Sequence, residues 1–260
     1  MTTWVLLRGL MRETRHWGEF PMLFQDAVGA RNIVTLDFPG NGSLHAHTSL
    51  NSVAEMAHHC RAQLKQLGYA PPYRVLALSL GAMVAVEWCR LYPDELERLV
   101  LINTSLAPNN PFYHRLRPAN YPALSSYLML GSAARRERLI LRLTSTQNRS
   151  AQQRTELLEQ WTGYARECPV TRANILRQLR AAASYRAAPA APAAPVLLLA
   201  AQRDRLVNVK CSLTLAKQWD CTVKLHPTAG HDIPLDDGYW VAQQVKEWVK
   251  ETDDIDKQAR

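Results

Sequence analysis

Short runs of apolar residues recur along this chain and alternate with segments that are long enough to form helices. Such runs are typical of strands buried on both faces of a sheet, and the segments between them show helical spacing. This alternation predicts an α/β fold, a mostly parallel sheet of about six strands with helices on both faces. The predicted strands are residues 4–7, 32–36, 75–78, 99–102, 196–200 and 222–225. The predicted helices are residues 17–27, 52–67, 82–91, 135–143, 151–164, 171–185, 210–218 and 239–251.

The alternation is interrupted between residues 109 and 190, where the pattern is helical and shows no clear strand. A run of Pro-Ala repeats at 187–195 closes this segment, and such repeats form stiff, extended connectors rather than packed structure. We therefore expect a helical lid inserted into a single core. The predicted division is 1–108 for the first part of the core, 109–190 for the lid and 191–260 for the second part of the core.

Composition and charge limit the classes of partner. The chain has no run of about eighteen apolar residues, so no membrane span is expected. The net charge of +8 lies in one segment, since residues 109–190 contain 13 Arg, no Lys and 4 acidic residues. This excess indicates either solvated helix faces or a surface for an anionic substrate or an acidic partner. No nucleic-acid-binding motif is visible, so nucleic acid is not a predicted partner.

The five cysteines are odd in number and lack metal-type spacing, which fits a reducing compartment. No basic region precedes the short apolar stretch at the N-terminus, so we expect no signal peptide and a cytoplasmic location. His45 and His47 form a His-x-His pair, but no carboxylate partner is apparent for them. We therefore predict neither a metal site nor a required cofactor.

Ser79 is the strongest candidate for a reactive group. It follows the apolar run 75–78 directly and precedes Gly81 and a helix-like segment, which predicts a sharp turn from strand to helix. A serine on such a turn points its hydroxyl away from the sheet, and the N–H of Leu80 lies beside it at a helix N-terminus. This is the arrangement that a nucleophilic serine requires.

An acid and a base follow at the ends of later predicted strands. Asp204 comes after the strand at 196–200, and His231 comes after the strand at 222–225. The order Ser, Asp, His is that of a triad in which the histidine takes the serine proton and the aspartate fixes the imidazole. Asp232 is an alternative acid, but as the neighbour of His231 it is expected to point away from the same imidazole face. In the loop after the first strand, the N–H of Leu10 would join that of Leu80 as an oxyanion donor.

Several segments resemble the α/β-hydrolase superfamily, and the resemblance covers nearly all of residues 4–250. They are Arg8-Gly9-Leu10-Met11 with Trp17 downstream (the oxyanion segment), Asp37-Phe-Pro-Gly-Asn-Gly42, Ser79-Leu-Gly81 (the nucleophile elbow) and Tyr92-Pro-Asp-Glu-Leu-Glu-Arg-Leu-Val100. Within the superfamily, the chain is most similar to lidded bacterial carboxylesterases such as the pimeloyl-acyl carrier methyl ester esterase. That likeness implies that the basic lid meets an acidic carrier protein.

The chain departs from the family pattern at three places. Ala77 and Ala82 replace glycines of the elbow, and alanine is the usual tolerated replacement. Arg8 replaces a histidine, and its guanidinium is expected to bind a substrate carboxylate or a nearby acid. The chain also begins almost directly at the strand that the family usually reaches third, which is why six strands are expected.

The candidate substrate contacts lie in the loop after the first strand and in the lid. The candidates are Arg8, Met11, Arg12, Trp17 and Tyr127. For Trp17, the alternative to a substrate contact is plain core packing. For Tyr127, the alternative is packing of the lid onto the sheet.

The sequence therefore predicts a serine hydrolase that cleaves a small acyl ester or thioester, anionic or bound to a carrier protein, through an acyl-enzyme at Ser79. Two alternatives stay open. One is a cofactor-free lyase of the menaquinone-synthesis type, and the other is a catalytically silent ligand-binding protein on the same fold. The sequence does not indicate an oligomeric state.

Overall fold

The computed structural model describes residues 3–129 and 131–258. Their strands are β1 (Thr3–Leu7), β2 (Asn32–Leu36), β3 (Tyr73–Leu78), β4 (Leu96–Ile102), β5 (Val196–Ala201) and β6 (Thr222–His226). All neighbouring strands are parallel, and they form one six-stranded sheet in the order β2-β1-β3-β4-β5-β6. The predicted α/β fold with about six strands is confirmed.

Ten helices connect or follow these strands in the described residues. They are α1 (Phe20–Val28), α2 (Val53–Gln66), α3 (Leu80–Leu91), α4 (Phe112–Arg115), α5 (Tyr121–Met129), α6 (Ala133–Thr144), α7 (Ala151–Glu167), α8 (Arg172–Ser184), α9 (Lys210–Trp219) and α10 (Ile233–Gln258).

Alternate residues of each buried strand belong to two separate layers of core. Val5 and Leu7 of β1 pack in the cluster that includes α2, α3 and α9. Trp4 and Leu6 pack in the cluster that includes α1 and α10. Because successive side chains of a strand point to opposite faces, continuous apolar runs cover both faces at once. The helices therefore sandwich the sheet, and the carboxyl ends of all the strands meet at one edge.

Helices α4 to α8 lie between β4 and β5 and have a small core of their own. Tyr127, Ile140, Leu141, Trp161 and Ile175 form this cluster of buried side chains. We refer to α4 to α8 as the helical insertion. The predicted division of the chain at residues 109 and 190 stays a prediction.

Two helix starts differ from the sequence prediction. Helix α1 begins at Phe20 rather than at residue 17, because Thr14–Trp17 forms a separate 3-10 turn that ends at Gly18 with φ 54°. Helix α10 begins at Ile233 and contains a non-helical residue, Asp237, before its predicted start at residue 239. Within residues 3–129 and 131–258, no helix combines the length and apolar character needed to cross a bilayer.

Candidate active site

Ser79 occupies the turn between β3 and α3 with a left-handed backbone, φ 56° and ψ −112°. A non-glycine residue in such a conformation is strained, and strain of this kind is concentrated at functional sites. The N–H of Ser79 donates to the carbonyl of Ile102 at 2.9 Å, which fixes the turn to the end of β4. The side chain is only half-buried, so its hydroxyl is open to a substrate.

Gly81 allows this turn because a side chain at position 81 would collide with the loop after β1. A Cβ there would lie 2.6 Å from the carbonyl oxygen of Leu7 and 2.7 Å from that of Arg8. Both oxygens belong to the backbone, which cannot move aside as a flexible side chain can. The close packing of α3 on β1 therefore requires glycine at this position.

Asp204 and His231 form a buried pair at the ends of β5 and β6. His231 Nδ1 lies 2.7 Å from Asp204 Oδ2, and both side chains are almost inaccessible to solvent. Asp204 Oδ1 accepts hydrogen bonds from the N–H groups of Leu206 at 2.7 Å and Val207 at 3.0 Å. Since a carboxylate only accepts, Nδ1 of His231 is the donor in this bond, and in the neutral imidazole Nε2 is left with a lone pair.

The surroundings of His231 raise its pKa above the ordinary value of 6.5. Burial by itself disfavours the charged imidazolium and acts to lower the pKa. The charge and hydrogen bond of Asp204, together with the charge of Asp232, outweigh that burial, and Arg8 opposes them. The imidazole of His231 is therefore suited to accept a proton, because Asp204 stabilises the cation that results.

Asn103 positions the loop that carries His231. Its Nδ2 donates to the carbonyl of His231 at 2.8 Å, and its Oδ1 accepts from the N–H of Ala201 at 2.8 Å. The backbone of Asn103 has φ 46°, a conformation that asparagine adopts more readily than most residues. Asn103 is not among the residues predicted from the sequence. Its place directly after a buried strand is the same signal that singled out Ser79.

The N–H groups of Leu10 and Leu80 lie in the two segments that meet at Ser79. Leu80 is the first residue of α3, so its N–H has no partner within the helix. A Cβ at Gly9 would lie 3.3 Å from Ser79 Cβ, which shows how closely the loop after β1 approaches the turn. The two N–H groups are therefore candidates for binding a developing oxyanion.

Gln178 of α8 holds the same loop from the helical insertion. Its Oε1 accepts from the N–H of Met11 at 2.9 Å, while its Nε2 donates to Asn41 Oδ1 at 2.7 Å and to Ser49 Oγ at 3.0 Å. Met11 has φ 60°, so this bond stabilises an otherwise unfavourable backbone. Gln178 was also absent from the predicted site. The possible signal is a polar residue on the apolar face of a predicted helix.

A cavity of about 180 Å³ joins these elements. Ser79 and His231 both line it, together with Leu10 and Leu80. No hydrogen bond joins the Ser79 and His231 side chains in the described residues, and such bonds are often long before a substrate binds. The remaining wall is mostly aliphatic and includes Leu78, Met83, Leu116, Leu124, Ile140, Leu143, Leu179, Leu206 and Val207.

Three of the five predicted substrate contacts line this cavity: Arg8, Met11 and Arg12. The Arg8 guanidinium is buried and pairs with Asp232, with Nη2 2.6 Å from Oδ2. Arg8 was expected to bind either a substrate carboxylate or a nearby acid, and in the structure it binds the nearby acid Asp232. Arg12 pairs with Glu137 of α6 at 2.5 Å and thus ties the loop after β1 to the helical insertion.

The structure does not bring Trp17 and Tyr127 to the cavity. Trp17 lies behind Arg8, whose guanidinium carbon is 4.6 Å from the centre of the indole ring, and it packs in the core beside Phe20. Tyr127 is buried in the core of the helical insertion. Trp17 therefore follows its core-packing alternative, while Tyr127 packs inside the insertion rather than onto the sheet.

In the described part of the chain, no group of three or more His, Cys, Asp or Glu side chains is placed to hold a metal ion.

The family model of the alpha/beta hydrolase family matches residues 4–244. The chain belongs to this family. A search of curated proteins finds no significant match. Among solved structures, the enol-lactonase from Burkholderia xenovorans LB400 superposes with a TM-score of 0.77 at 15% identity, covering 96% of this chain and 91% of that one. A thermophilic esterase from Thermogutta terrifontis has a TM-score of 0.73 at 17% identity, covering 96% and 90%. At these identities the structural likeness shows the fold alone.

Proposed function

We propose that this protein is a serine hydrolase that cleaves a carboxylic ester or thioester through an acyl-enzyme at Ser79. The observation that carries the proposal is the buried Asp204–His231 pair, whose histidine lines the same cavity as Ser79 on its strained turn. Membership of the alpha/beta hydrolase family supports a hydrolase, and an esterase is among its structural neighbours.

In the proposed reaction, Nε2 of His231 takes the proton of the Ser79 hydroxyl while Oγ attacks the acyl carbon. The carbonyl oxygen gains negative charge, and the N–H groups of Leu10 and Leu80 stabilise it. The imidazolium, stabilised by Asp204, then protonates the departing alcohol or thiol. A water molecule, activated by the same histidine, attacks the acyl-enzyme and releases the acid.

The lining of the cavity supports an acyl group as the part of the substrate that binds beside Ser79. Its wall is built mainly from aliphatic side chains, which favour an apolar chain over a strongly hydrated one. The likeness to lidded carboxylesterases, with an acidic carrier as partner, remains part of this proposal. The exposed arginines of α6 that support it are Arg135, Arg138 and Arg142.

The alternatives make different predictions at Ser79. A lyase of the menaquinone-synthesis type would use the triad without forming an acyl-enzyme. Arg8 would suit the anionic substrate of such a lyase only as a free cation, and Arg8 is instead paired with Asp232. A silent binding protein has no use for the strained backbone of Ser79 or for a buried acid beside His231.

Hydrolysis of p-nitrophenyl esters from acetyl to decanoyl tests the proposal. We expect the wild type to turn over esters of at least one chain length, and Ser79→Ala to lose about a thousand-fold or more in kcat. Ser105→Ala is the matched control, because it removes a hydroxyl from the same cavity wall without touching the Asp204–His231 pair. An equal loss in both variants, with both folded by circular dichroism, would contradict the proposal.

A further inference from the structure

Three arginines line the cavity that contains Ser79, and two of them have acidic partners. Arg8 pairs with Asp232 at 2.6 Å, and Arg12 pairs with Glu137 at 2.5 Å. These charges are neutralised within the protein. They are therefore poorly suited to bind an anion of the substrate.

Arg115, the last residue of α4, differs from the other two. Its Nη2 donates to the carbonyl of Ala182 in α8 at 2.7 Å, and it forms no ion pair among the described residues. Its Nε is buried and has no hydrogen-bond partner in the described chain. Burial lowers the pKa of this guanidinium, and neighbouring Arg186 acts in the same direction.

A desolvated cation without a counter-charge costs free energy, and proteins usually pair such groups. Here Arg115 is half-buried and shares the cavity wall with aliphatic side chains, including Leu116, Leu179 and Val207. An anion that enters the cavity would supply both the missing charge and an acceptor for the unpartnered Nε–H. Arginine is suited to carboxylates, because its planar guanidinium presents several donors in a fixed arrangement.

We propose that Arg115 binds a carboxylate at the far end of the acyl chain, so that the preferred substrates are monoesters or monothioesters of dicarboxylic acids. This inference rests on the proposed function, and it adds the chemical class of the acyl group. The aliphatic wall accommodates the methylene chain, the reacting carbonyl lies at Ser79, and Arg115 selects the charged end. Arg115 is thus a specificity-determining residue of the site.

Paired p-nitrophenyl esters test this assignment. The acyl chains run from adipate to sebacate and end either in a free carboxylate or in its methyl ester, which has nearly the same shape but no charge. The measurement is the ratio of kcat/KM for the charged ester to that for the neutral ester. For the wild type, we expect a ratio above one at the preferred chain length.

Arg115→Met keeps much of the side-chain volume and removes the charge, so the ratio should fall by about 10- to 100-fold. Arg115→Lys keeps a cation and should retain part of the preference, which separates charge recognition from simple repacking. Arg31→Met is the matched control, because Arg31 is exposed and lies outside the cavity wall. Its ratio should equal that of the wild type.

A wild-type ratio of one or less at every chain length would overturn the assignment, and so would the same ratio in wild type and Arg115→Met. If Arg115→Met does not fold, the wild-type ratio and Arg115→Lys still decide the question. Failure of the proposed function looks different, since neither ester would then be hydrolysed, or Ser79→Ala would hydrolyse both as fast as the wild type.

Discussion

At the scale of single residues, His231 has the environment of a base whose protonated form is stabilised. Asp204 contributes a hydrogen bond of 2.7 Å and a charge, and these hold the pKa of His231 above 6.5 despite burial. A base must be neutral to accept the proton of Ser79. The fraction of the protein in which His231 is neutral and active therefore falls as the pH drops through the raised pKa of His231.

The pH dependence of kcat/KM follows from this direction. On a neutral ester, we expect activity to be lost on the acid side with an apparent pKa above 6.5. Asp204→Asn removes the charge that raises the pKa, so the acid limb should move to lower pH. It should also reduce kcat by about 10⁴-fold, since the imidazole loses the partner that fixes its tautomer.

Asp220→Asn is the control for these profiles, because Asp220 is exposed at the end of α9 and is remote from the pair. Its profile should match that of the wild type. The assigned role of Asp204 would be contradicted if the acid limb of the wild-type kcat/KM profile had an apparent pKa at or below 6.5. It would also be contradicted if this limb lay at the same pH in Asp204→Asn.

The sequence was sufficient to nominate Ser79, Asp204 and His231, because each follows a predicted strand and chain order alone suggests their roles. It did not reveal Gln178 or Arg115. These side chains reach the site from helices of the insertion, and their contacts depend on how the insertion packs on the sheet. A local pattern contains no information about that packing.

At the scale of secondary-structure elements, buried strands were the easiest to predict. Their apolar runs cover both faces of the sheet, so each run falls within a strand, although β3 and β4 begin two and three residues before the predicted runs. Helices α4 and α5 were missed. They are short, and much of their apolar surface faces solvent, as at Phe112 and Met129, so they show no clear amphipathic period.

The packing of α3 on β1 gives a prediction about stability. Gly81→Ala would place a Cβ 2.6 Å from the carbonyl oxygen of Leu7, so the helix or the loop must shift. We expect a loss of about 1–3 kcal/mol in the free energy of unfolding, measured by urea denaturation. Ester hydrolysis should fall as well, because the shift moves Leu80 and Ser79.

Gly163→Ala provides the matched comparison. Gly163 lies within α7, and a Cβ there would meet no atom within 4 Å. The substitution should stabilise the protein by about 0.5–1 kcal/mol, because alanine favours helix more than glycine does. Equal changes in the free energy of unfolding for Gly81→Ala and Gly163→Ala would show that close packing at Gly81 does not determine the turn.

At the scale of the whole molecule, the helical insertion completes the site. The Arg12–Glu137 pair and the Gln178 bond to Met11 connect it to the loop after β1. The carboxylate of Asp236 in α10 accepts from the N–H groups of both Thr146 and Gly230, which joins the insertion to the loop of His231.

The excess of arginine in residues 109–190 has more than one role. Arg149 approaches Asp236 at 3.6 Å within the fold, Arg115 lines the cavity, and the arginines of α6 are exposed. Composition alone predicted a basic segment, but not which of these charges are neutralised internally. An acidic carrier protein stays a prediction.

Covalent labelling tests the proposed role of Ser79 as the nucleophile most directly. After reaction with a fluorophosphonate, intact-mass spectrometry should find one adduct per chain. Digestion with trypsin should locate it on peptide 75–90, in which Ser79 is the only serine. Ser79→Ala should remain unlabelled. An unlabelled wild type, an adduct on another peptide, or equal labelling of Ser79→Ala would contradict the claim.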